Sequence, residues 1–285
     1  MIQLVECPRD AMQGLHTFIP TEVKVRYLNQ LLRVGFHTLD FGSFVSEKAI
    51  PQLRDTADVL ASLDRADSAT KLLAIVANVR GAERACEFDE IDCIGFPFSV
   101  SETFQQRNTN SSIAESLERV DQIQRLCVDS GKTLVVYLSM GFGNPYGDPH
   151  SPEVVSMWCK RLAADYAVRV MAPSDTIGAA QPEGIRRLFE ALIRDLPEVQ
   201  FGAHLHTTPD TWQDKVVAAW EAGCRRFDGA ILGLGGCPMA EDNLTGNMPT
   251  EKLVQFCDDR GIDTGIDRAE FSIATMMAGE VFPTA

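Results

Sequence analysis

The chain has 285 residues, 45% hydrophobic and 23% charged, a profile of an ordinary globular protein with one large domain or two small ones. Its formal net charge of −14 argues against a nucleic-acid surface, which needs clustered Lys and Arg. No run approaches the roughly 18 to 20 apolar residues of a membrane span, and residues 1–10 show no signal or transit pattern, so a cytoplasmic protein with neither membrane nor nucleic-acid partner is expected.

Short runs rich in β-branched residues alternate with stretches of helical period. The first strand, 2–6, runs into Pro8, Arg9 and Asp10, and a helix at 21–34 follows Pro20 and stops at Gly35. Strand 38–41 carries Asp40, with Ser43 just beyond, and leads to a helix at 47–63. Then come strand 72–76, helix 78–87, strand 91–95 and helix 112–130, which closes at Gly131. Strand 133–138 contains Tyr137 and precedes helix 152–163, and strand 167–171 leads to Asp175 and helix 182–196. Strand 200–204 ends in His204-x-His206 before helix 211–222. Strand 226–229 opens onto a glycine-rich loop at 233–238 that contains Cys237, followed by Gly246-Asn247, Glu251 and a helix at 251–260.

Eight βα units in this length predict a (β/α)8 TIM barrel, whose usual size is about 250 residues. The expected organisation is a single catalytic domain over 1–285: a barrel to about 262 and a short C-terminal helical extension over 263–285. No G-x-G-x-x-G follows the first strand, against a dinucleotide-binding sheet. Cys7, Cys86, Cys93, Cys127, Cys159, Cys224, Cys237 and Cys257 are scattered without a C-x-x-C pair, as expected of reduced thiols rather than a disulfide framework.

In a TIM barrel the chemistry sits at the C-terminal ends of the strands, which singles out the polar residues named above. Residues i and i+2 of a strand point the same way, roughly 6.5 to 7 Å apart, so both imidazoles of His204-x-His206 can converge on one ion. An isolated H-x-H is more often a capping and a packed ring. With Asp10 at another strand end and an amide in the Gly246-Asn247 loop it completes a mixed nitrogen and oxygen set suited to a divalent cation. Cys237 is either a small buried hydrophobe or a reactive thiol in a loop where glycines admit a ligand. Arg9 is a salt-bridge partner of Asp10 or a fixed donor to a developing oxyanion. Asp40 and Asp175 are helix caps or functional carboxylates.

Taken in order, P-R-D-x-x-Q at 8–13, S-F-V-S at 43–46, S-D-T-I-G at 174–178, H-x-H at 204–206, G-L-G-G-C-P at 233–238 and G-N-x-x-T-E at 246–251 resemble the 3-hydroxy-3-methylglutaryl-CoA lyases. Those lyases belong to a wider group of metal-dependent lyase and synthase barrels. The resemblance implies cleavage of the HMG thioester to acetyl-CoA and acetoacetate, as in leucine degradation, with an acyl-CoA substrate and a homo-oligomer, dimer or higher. It implies that Asp10, His204, His206 and Asn247 bind the divalent cation, Mg2+ or Mn2+ before Zn2+ or Co2+. Arg9 would polarise the thioester carbonyl, Cys237 transfer a proton, Glu251 support the Cys237 loop, and Asp40, Asp175 and Tyr137 occupy active-site positions. Gln13 and Ser43 would join the acyl-CoA-binding set, and Lys48 is the expected contact for the nucleotide end.

The sequence departs from the lyase pattern at Ala11 and Met12 in R-D-A-M-Q, at Thr207 after the H-x-H, and at Asn144. Thr207 removes a carboxylate from beside the metal set. The resemblance therefore also admits a different hydroxyacyl-CoA, a condensation or aldol cleavage with a 2-oxo acid, or a non-catalytic acyl-CoA-binding barrel.

Overall fold

The computed structural model describes residues 2–236 and 245–282. Eight strands lie parallel in chain order: β1 (Gln3–Glu6), β2 (Thr38–Ser43), β3 (Lys71–Ile75), β4 (Cys93–Ser99), β5 (Thr133–Ser139), β6 (Val170–Asp175), β7 (Gln200–Thr207) and β8 (Arg226–Gly229). The β1–β8 and β6–β7 pairings close the ring, so the expected TIM barrel is the observed fold. A two-residue strand, β9 (Gly246–Asn247), pairs antiparallel with the end of β7 and puts Asn247 opposite His206.

The helices follow in order: α1 (Pro8–Gln13), α2 (Thr21–Val34), α3 (Thr56–Ala61), α4 (Val79–Cys86), α5 (Glu102–Thr109), α6 (Ile113–Asp129), α7 (Pro152–Asp165), α8 (Pro182–Asp195), α9 (Trp212–Glu221), α10 (Thr250–Asp259) and α11 (Arg268–Val281). Their ends follow from local chemistry. Ser112 and Glu115 form a capping box at α6, and Asn78 and Ser151 cap α4 and α7 by accepting from otherwise unpaired backbone N–H groups. Gly35 stops α2 with φ +80°, a left-handed turn that costs glycine little.

The main core lies between the strands and the helix ring, where Leu31, Leu72, Val136, Phe189 and Leu192 are fully buried. Each such side chain stabilises the fold by about 1.5 to 3 kcal/mol. A second, smaller cluster, Leu73, Ile75, Cys93, Val135, Tyr137 and Ala172, fills part of the barrel interior. The C-terminal α11 lies against α2, with Phe282 edge-on to Tyr27 at 5.6 Å and Phe271 edge-on to Phe36 at 6.2 Å. No helix among the described residues is long and apolar enough to cross a membrane.

Several expected bounds are corrected. The helix at 47–63 is a 3-10 turn at Pro51–Leu53 followed by α3, because proline lacks an N–H and biases its predecessor away from helix. The strand at 91–95 begins and ends later, as β4, and the strand at 167–171 begins only at Val170. Ala167 takes φ +54°, a turn conformation outside any strand. Pro8–Gln13 forms α1 directly after β1, and α5 adds a helix where the sequence pattern assigns no element.

Candidate active site

A cavity of about 440 Å3 opens at the C-terminal end of the barrel. Arg9, Asp10 and Gln13 reach it from α1, Tyr137 and Ser139 from β5, Ser174 and Thr176 from the end of β6, and His204 and His206 from β7. Proline at the first turn starts α1 immediately after β1, which is why Arg9 and Asp10 turn back over the barrel mouth.

Asp10, His204 and His206 each offer one ligand atom, all within 4.8 Å of one another. The two imidazole centroids are 5.4 Å apart, the closeness expected of alternate residues on one strand face. Asn247 Nδ2 donates to Asp10 Oδ2 at 2.8 Å and to the Leu234 carbonyl at 2.7 Å, which leaves the amide oxygen as the atom available to a ligand. His206 is buried, and among the described residues neither ring nitrogen makes a hydrogen bond of ordinary geometry, the Thr176 backbone offering only a looser contact. A buried imidazole with no such partner is costly, and a cation between these groups would relieve it. The backbone cooperates at Gly235, with φ +83°, where an added Cβ would lie 2.6 Å from the Asp10 carbonyl oxygen and 2.8 Å from Asn247 Nδ2. The donor set, two imidazoles, a carboxylate and an amide oxygen, fits a divalent cation of intermediate hardness.

Charge around the site is closely paired. Asp40 receives Arg9 Nε at 3.2 and 3.1 Å and Arg9 Nη2 at 2.6 Å, while Arg9 Nη1 donates to Asp10 Oδ1 at 2.9 Å and to Gln13 Oε1 at 2.7 Å. A guanidinium has five N–H donors, so one Nη2 hydrogen has no acceptor among the described residues, on a side chain that lines the cavity. Burial pushes Asp40 up to about 6 against the pull of Arg9. Burial also acts to raise Asp10, but the Arg9 guanidinium and the two imidazoles outweigh it and hold the carboxyl below its ordinary value. Burial and the neighbouring His204 lower His206 to about 4, so its imidazole is neutral, as a metal ligand must be. His204 goes the other way: burial lowers it, but the Asp228 hydrogen bond and charge prevail.

Of the other residues singled out in the sequence, Tyr137 lines the cavity and stands edge-on to His204 at 5.5 Å. Asp175 is not among the residues lining the cavity: Lys215 Nζ meets its Oδ2 at 2.7 Å and the Ala180 N–H its Oδ1 at 3.0 Å. Lys215 also donates to the His206 carbonyl at 2.8 Å, so Asp175 braces the backbone of the H-x-H strand. Glu251 accepts from the Leu232 N–H at 3.0 Å, at the start of the glycine-rich loop. Ser43 ties β2 to β3 through the Ile75 carbonyl at 3.1 Å and accepts from Val45 N–H at 3.1 Å; neither it nor Lys48 lines the cavity. Asn144 organises the loop after β5 by accepting from Tyr146 and Asp148 N–H at 3.0 and 3.1 Å. Cys237 lies outside the described residues.

The structure adds residues that sequence reasoning passed over. Asp228 meets His204 Nδ1 at 3.2 Å, Arg226 meets Asp228 at 3.1 Å, and Glu6 accepts from the Ile231 N–H at 2.9 Å. The only signal in the sequence was charge within short strands that are buried on both faces.

Comparison with known proteins places this geometry. The HMGL-like family model matches residues 2–277. The chain belongs to the HMGL-like family. A curated relative, hydroxymethylglutaryl-CoA lyase YngG of Bacillus subtilis, is 36% identical over 259 residues, 91% of this chain and 85% of that protein. The crystal structure of the HMG-CoA lyase from Brucella melitensis superposes with a TM-score of 0.92 at 30% identity, covering 99% of each chain. An HMG-CoA lyase from Acinetobacter baumannii, solved in complex with coenzyme A and 3-methylmalate, gives 0.90 at 31% identity, covering 99% of this chain and 91% of that one. The barrel thus has full-length counterparts of the same fold among HMG-CoA lyases.

Proposed function

We propose that this HMGL-like protein is a divalent-metal-dependent carbon–carbon lyase that cleaves 3-hydroxy-3-methylglutaryl-CoA to acetyl-CoA and acetoacetate. The observation that carries the reading is the convergence of Asp10, His204 and His206 within 4.8 Å beside Arg9 in one cavity. The names of its relatives and the coenzyme A complex of one of them support the substrate class.

Cleavage next to a tertiary alcohol requires loss of the hydroxyl proton, an electron sink for the departing enolate, and a proton to quench it. Asp10, His204, His206 and the Asn247 amide oxygen would hold the cation, which when bound would acidify the substrate hydroxyl. Asp10 and His204 are the basic groups at hand for that proton. Arg9, clamped by Asp40 and Gln13, directs its remaining N–H at the thioester oxygen, and a preorganised donor of this kind contributes about 3 to 4 kcal/mol. Cys237 protonates the enolate carbon, for which a thiol of ordinary pKa about 8.5 is a suitable acid. Glu251 supports its loop through Leu232, and Asp175 holds the β7 backbone through Lys215. Mg2+ and Mn2+ suit the oxygen share of the donor set, and Zn2+ and Co2+ its imidazoles. The reading further takes residues 1–285 as one catalytic domain, at work in the cytoplasm on an acyl-CoA, as a homo-oligomer.

A second reading keeps the chemistry and changes the acyl group. Val45, Ala49, Ile50, Ile75, Pro97 and Phe104 also line the cavity, apolar surface that would accept a substituent larger than methyl on the hydroxyl-bearing carbon. Assay of the metal-supplemented protein against HMG-CoA and 3-hydroxy-3-alkylglutaryl-CoA homologues tests both readings, with His204→Ala as control. Acetoacetate from HMG-CoA, abolished by chelation, supports the first, and cleavage of the homologues alone supports the second. No cleavage of any thioester by the wild type overturns both.

A further inference from the structure

The interior of a TIM barrel is ordinarily packed with branched apolar side chains. Leu73, Ile75, Val135 and Ala172 obey that rule, but the facing segments of β7 and β8 do not. There the strand register sets Gly202 beside Arg226 and His204 beside Asp228. Arg226 and Asp228 are 3% and 2% exposed, and Arg226 Nη1 stands 3.1 Å from Asp228 Oδ1. Room for this arrangement comes from Gly202, where any Cβ would collide with the Arg226 guanidinium. A buried ion pair carries a large desolvation cost, and an apolar pair of similar volume often serves stability as well or better. Its presence in the interior asks for a purpose other than stability.

The two carboxylate oxygens of Asp228 are divided. Oδ1 lies toward Arg226, and Oδ2 meets His204 Nδ1 at 3.2 Å. With Oδ2 placed to accept from Nδ1–H, the neutral ring that a metal ligand must present has its lone pair at Nε2. That leaves Nε2 free to serve as the one ligand atom that His204 offers beside Asp10 and His206.

We propose that Asp228, braced by Arg226, is a positioning residue of the cation site: it fixes the tautomer and ring orientation of His204 so that Nε2 is presented to the metal. The inference rests on the metal-dependent reading above. Hydrogen-bonded partners behind ligating histidines commonly carry a factor of 10 to 100 in metal affinity, and the Arg226–Asp228 pair supplies such a partner without a direct contact to the cation.

The test is Mn2+ binding, followed by calorimetry and by loss of the free-ion EPR signal, with 15N spectra of the histidine rings in the metal-free protein. In spectra recorded at a pH where the His204 ring is neutral, wild type is expected to show it protonated at Nδ1 and bare at Nε2. Asp228→Asn is expected to bind Mn2+ about 10- to 100-fold more weakly while its metal-free melting temperature stays within a few degrees of wild type. The double variant Arg226→Met with Asp228→Leu guards against a folding defect, since a purely structural pair predicts equal or higher stability and unchanged Mn2+ affinity. Equal or higher stability with the same loss of affinity supports the positioning role. Mn2+ affinity within threefold of wild type in both variants, or a His204 protonated at Nε2, overturns it while leaving the metal-dependent reading intact. Failure of wild type to bind Mn2+ overturns both.

Discussion

The two sides of the barrel interior are built on opposite principles. On the β3–β6 side, Leu73, Cys93, Val135 and Ala172 form an apolar cluster, the sort of filling that stabilises a fold, with Ile75 and Tyr137 at its edge facing the cavity. On the side of β7, β8 and the strands that follow in the ring, Arg226, Asp228, His204 and Asp40 are buried or nearly so; Asp228 stands between Arg226 and His204, and Asp40 is paired with Arg9. The first side supplies rigidity, and the second is kept polar at a cost the first must offset. Function and stability should therefore separate when each side is mutated.

The largest expected effect comes from breaking the polar side. His206→Ala should reduce Mn2+ affinity and turnover by about 10^3-fold or more, since a bound metal supplies several kcal/mol of transition-state stabilisation. The same change should leave the metal-free protein as stable as before or more so, because it removes a buried ring with no ordinary hydrogen bond. Thermal melts and Mn2+ titration of one protein sample check both halves. Leu73→Ala sharpens the contrast from the apolar side. Leu73 is fully buried, so truncation should cost about 2 to 5 kcal/mol in urea unfolding, with Mn2+ affinity within a few-fold of wild type.

Glu6 tests whether buried charge away from the cation site behaves as a stability term. Burial pushes its carboxyl up to about 8 from 4.5, despite hydrogen bonds from Thr250 and the Ile231 N–H, with the Glu251 charge adding to the rise. The native state therefore keeps a proton that the unfolded chain releases above about 4.5. Stability from this group is complete below that pH and is lost as pH rises toward 8, the reverse of a salt-bridged carboxylate. Wild type should lose on the order of 2 to 4 kcal/mol across this window, and Glu6→Gln should abolish that component of the slope. Urea titrations at pH 5, 6, 7 and 8 measure it, and parallel slopes for the two proteins would refute the assignment.

The same division explains what could be read from the sequence. Apolar strands and amphipathic helices announce themselves by period, so all eight barrel strands were locatable, with errors where one residue decides. Pro51 split a helix, and Ala167 with φ +54° delayed a strand. Arg9, Asp10, His204 and His206 were legible because they fall at strand ends, where polar residues stand out against apolar runs. Asp175 was legible as a candidate but not its partner Lys215, 40 residues away, because pairing across the fold leaves no local trace. Arg226 and Asp228 sit inside a four-residue strand, where charge reads as a loop boundary; only the β7–β8 register shows that they point at His204.

The smallest effect predicted concerns the backbone that joins the two sides at the cavity mouth. Gly235 has φ +83°, and a Cβ there would press within 2.6 Å of the Asp10 carbonyl oxygen. The left-handed conformation alone costs a non-glycine residue about 1 to 2 kcal/mol, and the Asp10 contact cannot yield without shifting α1. Displacement of Asp10 by that contact should weaken Mn2+ binding in Gly235→Ala by about tenfold, or about 1.4 kcal/mol, while the backbone penalty appears as lost stability. Gly131 provides the control, with φ +68° and open space within 4 Å of where a Cβ would sit. Gly131→Ala meets the same backbone penalty without the contact, so it should lower stability by a similar amount and leave Mn2+ affinity unchanged. If both variants bind Mn2+ alike, Gly235 matters only as a turn and the close approach to Asp10 plays no part in shaping the site.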